Sequence, residues 1–287
     1  GAECQEAEAR DRSSPVGVGT DVGRDVGVGL PGKQLEALKA IARGSNATLI
    51  LIVLSGSAVS LPWAVASDRV ASIIQLFYPG VLGGEALSDV LFGINSPSGR
   101  LPVTVPASES QLPSAYLDQS MSAPPGRTHR YFTGRPLFPF GFGLGYSSFH
   151  YSDLSVSHTS LPAGDAALAT ALTVSVRVTN RGEHSSSPSD EVVMVFAVPS
   201  PLVSPHGVSV PRQILLGFTR VTIPPGGSIT ARIRAPAKRL RLLDFAGKHQ
   251  LLQGDYELRV GGRPPGASRE LYPLGDGEPL RRVLRVR

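Results

Sequence analysis

Apolar positions change their spacing along this chain, and the changes mark out its elements. Leu35, Leu38 and the pair Ile41-Ala42 form a stripe close to helical period, with Pro31-Gly32 as a start signal. A continuous aliphatic run follows at Thr48–Leu54, closed by Ser55-Gly56. A run of that kind predicts a strand buried on both faces, as in a parallel sheet between helix layers. Ile73–Tyr78 repeats the signal and stops at Pro79-Gly80, and Gly84–Phe92 predicts a short helix ended by Gly93. Helix, strand, loop, strand, helix is α/β organisation.

Past Phe149 the period falls to two. Leu172–Thr179 alternates apolar and polar residues, which predicts a half-buried antiparallel strand ended by Asn180-Arg181-Gly182. Similar runs lie at Glu191–Val198, Gln213–Ile223, Ser228–Ile233 and Asp255–Val260, with Pro and Gly turns between them. Short strands at this spacing predict a β-sandwich of immunoglobulin or fibronectin type, and the lack of a Cys…Trp…Cys framework disfavours the former. The fold class expected is α/β plus all-β, with one domain over residues 1–150 and a β-sandwich over 151–287. No internal repeat is present.

Composition narrows the function classes. Hydrophobic residues make up 41% and charged residues 18% of 287, which is globular rather than disordered. The apolar run at Ala47–Leu54 is far shorter than the roughly 20 residues that span a bilayer, so no membrane role is expected. The formal charge is +5, but arginines are dense only in the tail from Arg281 to Arg287. A nucleic-acid surface needs a basic face with stacking aromatics, so the tail reads as a solvated terminus. Cys4 is the single cysteine, which excludes an internal disulfide; it lacks a nearby His partner for nucleophilic chemistry. His129, His150 and His158 have no ligand spacing, and no metal is assigned. Asn46-Ala47-Thr48 is an N-glycosylation sequon and fits a secretory route. The chain opens on Gly1 with no charged and apolar leader, so a signal peptide, if one exists, is expected to lie upstream.

Particular residue blocks say more. Tyr78-Pro79-Gly80, Gly83-Gly84, Ala86–Gly93, Asn95, Pro97–Pro102 and Thr104 resemble, in order and spacing, the pattern of glycoside hydrolase family 3. So do Gly126–Gly134 and Pro136–Leu144. Glu191–Val193, Leu216–Val221, Pro224–Gly227, Gly254–Tyr256 and Val260-Gly261 resemble the family's fibronectin type III-like third domain. The likeness runs from Leu30 to about Gly262, and Gly126-Arg127-Thr128 with Arg130 is closer to the β-xylosidase branch. It implies a partial α/β sandwich domain, incomplete at its N-terminal end, followed by the fibronectin-like sandwich.

The resemblance also implies a chemistry. Retaining glycosidases set two carboxyl groups about 5–5.5 Å apart, one as nucleophile and one as general acid/base. In this family the nucleophilic Asp belongs to an N-terminal barrel, and nothing here matches that barrel, so no nucleophile is expected in this chain. The missing barrel of a parent chain and an oligosaccharide substrate are the expected partners, with no cofactor. The acid/base segment of xylosidase-like members, Glu-x-Glu-x-x-Asp-Arg ahead of Leu-Pro-Gly, is matched by Glu6–Arg12 and Leu30–Gly32. Glu6 is the acid/base candidate and Glu8 the reserve. The gap Ser13–Gly29 exceeds the family's spacing. It is either an inserted loop, or Asp21–Asp25 is the true counterpart and the Glu pair is a solvated acidic stretch.

Arg127, Arg130, Tyr131 and Phe132 read as a structural cluster or as an interdomain surface near the active site. Trp63 reads as packing or as a sugar platform. Gly134–Gly145 reads as glycines held at special backbone angles. Two functions are expected as alternatives: part of a secreted, extracellular or lysosomal β-xylosidase-like exo-glycosidase, or a non-catalytic carbohydrate-binding or adhesion module that kept the scaffold.

Overall fold

A computed structural model describes residues 28–112, 118–182, 187–200, 209–243, 246–261 and 278–287. The chain builds an α/β portion, a long irregular segment, and a two-sheet β-sandwich.

The α/β portion contains α1 (Gln34–Gly44), β1 (Leu49–Val53), α2 (Pro62–Ala66), β2 (Val70–Gln75) and α3 (Gly83–Leu91). β1 and β2 pair in parallel, as the two aliphatic runs require. Leu51 and Val53 point to a small core with Val59, Leu61 and Ala64, and Leu38, Trp63 and Ile73 pack against it. Pro62 opens α2, where its missing N–H costs nothing. Burial of β1 on both faces is not found. Ile50 is 50% exposed, and Ile41 and Leu54 are exposed as well. Among the described residues the sheet has two strands, so nothing covers its second face. Val81, Leu82, Phe92 and Ile94, flanking α3, are exposed too.

That exposed apolar face gives an expected outcome. The whole chain should self-associate, because open strand edges beside apolar surface template association. A shortened chain beginning at Ser147, which keeps the core residue Phe149, should be monomeric. Light scattering on the two chains after size exclusion decides it, and a monomeric whole chain would overturn the expectation.

The sandwich holds β3 (Phe149–Val156), β4 (Ser160–Leu161), β5 (Ala171–Asn180), β6 (Ser189–Pro199), β7 (Ile214–Ile223) and β8 (Ser228–Pro236). The short pair β9 (Leu242–Leu243) and β10 (His249–Gln250) follows, then β11 (Gly254–Val260) and β12 (Leu280–Val286). One sheet has the order β4-β12-β11-β6-β7 and the other β3-β5-β8. Strand alternation fills the space between them. Leu172, Val174, Val176 and Val178 of β5 face Val193, Val195, Tyr256, Leu258 and Val260 in one dry core.

Two findings correct the expectations. The arginine-rich tail is not a solvated terminus: Leu280–Val286 pairs along its length with β11 and sits inside the five-stranded sheet. Its Leu284 and Val286 are buried, while its arginines are exposed and Arg281 lies 3.8 Å from Glu257. The glycines of 134–145 mostly serve close approach rather than special angles. A side chain at Gly143 would collide with the Gly99 carbonyl, and only Gly141 in this stretch has a left-handed φ, of 83°.

Candidate site between the sandwich and the segment that covers it

Described stretches between residues 93 and 147 lie against the five-stranded sheet, where His129 and Phe140 meet Phe196 of β6. They are pinned to one another by Val105 N–H to Phe138 O at 2.8 Å and Leu101 N–H to Phe142 O at 2.8 Å. Among them Gly126, with φ 83°, turns the chain into α4 (Thr128–Tyr131), a single helical turn. Any larger residue at Gly126 would meet the Tyr131 carbonyl.

α4 is fastened to the sandwich by backbone and side-chain bonds. The Arg212 N–H donates to Arg130 O at 2.6 Å, and an Arg212 Nη donates to Phe132 O at 2.5 Å. Tyr131 Oη donates to Ser209 O at 3.3 Å. His129 stacks on Phe140 with ring centroids 4.2 Å apart, and both rings meet the edge of Phe196 on β6. Arg127 donates to the carbonyls of Ser120 and Asp118, a structural part. The Arg130 guanidinium lies 5.5 Å from the Tyr131 ring centroid, and its buried Nε has no partner among the described residues.

These contacts enclose a cavity of about 350 Å³. Thr104, His129, Phe132 and Phe140 line it from the covering segment, and Gln213, Arg212 and Arg259 from the sandwich. Burial, and secondarily the charge of Arg130, hold the His129 imidazole down to about 4 from its ordinary 6.5. A histidine depressed in the folded state stabilises the fold above pH 6.5 and loses that contribution as pH falls toward 4. The melting temperature should therefore drop across this window, by the equivalent of about 1–2 kcal/mol after solvent screening. Thermal melts of the protein and of His129→Gln test this; an unchanged slope in the variant would refute it.

The covering segment and the sandwich also share a buried ion pair that no sequence reading anticipated. Arg100, just after α3, meets Glu191 of β6 with Nη2 to Oε2 at 2.5 Å, and their side chains are 11% and 5% exposed. An Arg100 Nη also donates to Gly143 O at 2.6 Å, and Tyr151 Oη donates to Glu191 Oε1 at 2.7 Å. Burial pushes the Glu191 carboxyl up, against the opposing pull of Arg100 and the Tyr151 hydroxyl. A signal did exist: Glu191 sits in phase with the inward residues Val193 and Val195 of its own strand.

Of the other candidates, Trp63 packs in the small core and Asn46 is exposed in the loop between α1 and β1. Glu6, Glu8, Cys4 and Asp21–Asp25 lie outside the described residues. Among the described residues no group of three His, Cys, Asp or Glu could hold a metal ion, and no helix is long and apolar enough to cross a membrane.

Comparison with known proteins gives this architecture a class. Residues 3–146 match the glycosyl hydrolase family 3 C-terminal domain, and residues 191–263 a fibronectin type III-like domain. The chain belongs to glycosyl hydrolase family 3. It is 31% identical to beta-D-xylosidase 1 of Arabidopsis thaliana over 89% of its own length and 34% of that protein's. It is 35% identical to a beta-glucosidase of Rhizobium radiobacter, over 80% of this chain and 28% of that one. The crystal structure of the beta-D-glucoside glucohydrolase of Trichoderma reesei superposes with a TM-score of 0.72 at 27% identity, covering 94% of this chain and 38% of that one. The chain thus spans about a third of the length of the relatives it matches.

Proposed function

We propose that this chain is the acid/base-bearing and supporting part of a retaining β-xylosidase-like exo-glycosidase that acts on oligosaccharides. The carrying observation is the family match from residue 3, which takes in the Glu6–Arg12 segment along with the α/β portion. Glu6 is the general acid/base and Glu8 its reserve; the nucleophile comes from a barrel outside these residues. The xylosidase preference rests on Gly126-Arg127-Thr128 with Arg130, and on relatives bearing that name. No cofactor takes part. Asn46, exposed and followed by Ala47-Thr48, supports a glycosylated, secreted protein.

Hydrolysis of aryl-β-D-xyloside and aryl-β-D-glucoside tests the reading. The 287-residue chain should turn over neither, because a glycosidase deprived of its nucleophile has lost the two-step route. A longer natural chain that contains it should prefer the xyloside. Steady turnover by the 287-residue chain, or no turnover by the longer one, would overturn the proposal.

A further inference from the structure

The cavity under α4 gathers polar groups that the protein does not satisfy. Gln213 lines it and is only 8% exposed, yet its carboxamide has no hydrogen-bond partner among the described residues. Its amide is not sealed off from solvent and lies in the cavity lining, where it can both donate to and accept from a bound group. Thr104 Oγ1, on the same wall, is buried and unpaired. His129 is neutral at neutral pH and therefore offers one donor and one acceptor. Neutral groups able both to donate and to accept suit hydroxyls.

The cavity also carries charge. Arg212 lines it with its backbone N–H and one Nη already engaged, which fixes its position. Arg259 lines it from β11, with Nε on the Glu257 carboxylate at 2.5 Å. Glu257 offsets one positive charge and is shared with Arg281 at 3.8 Å. Two planar guanidinium forks still border the space, and forks of this kind bind carboxylates in pairs of parallel bonds. Phe132 and Phe140 supply the apolar walls. About 350 Å³ is at the small end of ligand sites, enough for one small ring rather than a chain of them.

We infer that this cavity binds a single sugar acid, its carboxylate at Arg212 and Arg259 and its hydroxyls at Gln213 and His129. The assignment stands on the cavity's own groups and is independent of the glycosidase reading. Any glycosidic cleavage would occur elsewhere, at the proposed Glu6 centre.

Titration calorimetry of the 287-residue chain with D-glucuronate, D-glucose, acetate and inorganic phosphate tests it. Glucuronate should bind, with glucose and acetate each at least about tenfold weaker, since each offers half of the recognised groups. Gln213→Met, which keeps the shape of the side chain, and Arg259→Met should each weaken glucuronate about tenfold or more. Circular dichroism shows whether each variant is folded, and the half-buried position of Arg259, outside the sandwich core, keeps the second variant informative if the first fails to fold. No glucuronate binding, equal binding of glucose or phosphate, or undiminished binding in a folded variant would each overturn the assignment.

Discussion

Replacing Arg100 with methionine is expected to lower the unfolding free energy by about 3–5 kcal/mol, the cost of leaving a buried charge without its partner. Glu191 would keep only the Tyr151 hydroxyl and the N–H of Val192, in a site whose burial already opposes its charge. Coulomb attraction alone is a poor guide here, because desolvation cancels much of it. The informative comparison is therefore the double replacement, Arg100→Met with Glu191→Met. It removes both charges at once and should restore most of the lost stability, leaving a large positive coupling between the sites. Urea unfolding followed by circular dichroism measures all four proteins. A loss below about 1 kcal/mol in the single variant, or a double variant no better than the single, would show that the pair is not a coupled, desolvated unit.

In a longer natural chain carrying the barrel, Glu6→Gln should slow hydrolysis of substrates with poor leaving groups by about 10²–10⁴-fold. An alkyl or sugar leaving group needs a proton as the glycosidic bond breaks, and an amide cannot supply it. A dinitrophenolate leaves without that help, so its release should hardly change. The ratio of the two effects identifies an acid, where simple unfolding would slow both alike. Equal losses, or none, would transfer the role to Glu8 or away from this segment.

The sandwich strands were legible wherever period-two alternation ran unbroken, as in β5, whose inward positions from Leu172 to Val178 are all aliphatic. β3 was not, because its pairing shifts between Ser152 and Ser155 around Asp153, at φ 53°. The bulge moves the inward side chains from Phe149 and Tyr151 to Leu154, and the alternation slips with it. β12 was hidden differently: Arg282 and the exposed Val283 break the pattern of Leu280, Leu284 and Val286. The cavity was illegible for a simpler reason. Thr104, His129, Gln213 and Arg259 are brought together from distant segments, and no local spacing joins them. The family blocks took in Gly126–Gly134 but could not say that Phe132 and His129 line a space while Arg127 braces carbonyls.

The position of β12 between β11 and β4 bears on how the molecule reaches this fold. Its partners Ser160 and Leu161 come early in the sandwich, and Arg285 and Val286 come last. The five-stranded sheet thus closes by joining stretches that are remote along the chain, and the entropy of that loop must be surrendered before the contacts reward it. The antiparallel pair of β6 and β7, adjacent in sequence, has no such delay. Refolding from denaturant should accordingly be slow for a domain this size, on the order of milliseconds to seconds. Stopped-flow measurements should find that Leu284→Ala mainly accelerates unfolding and leaves the refolding rate almost unchanged, the signature of a strand that docks after the barrier has been crossed.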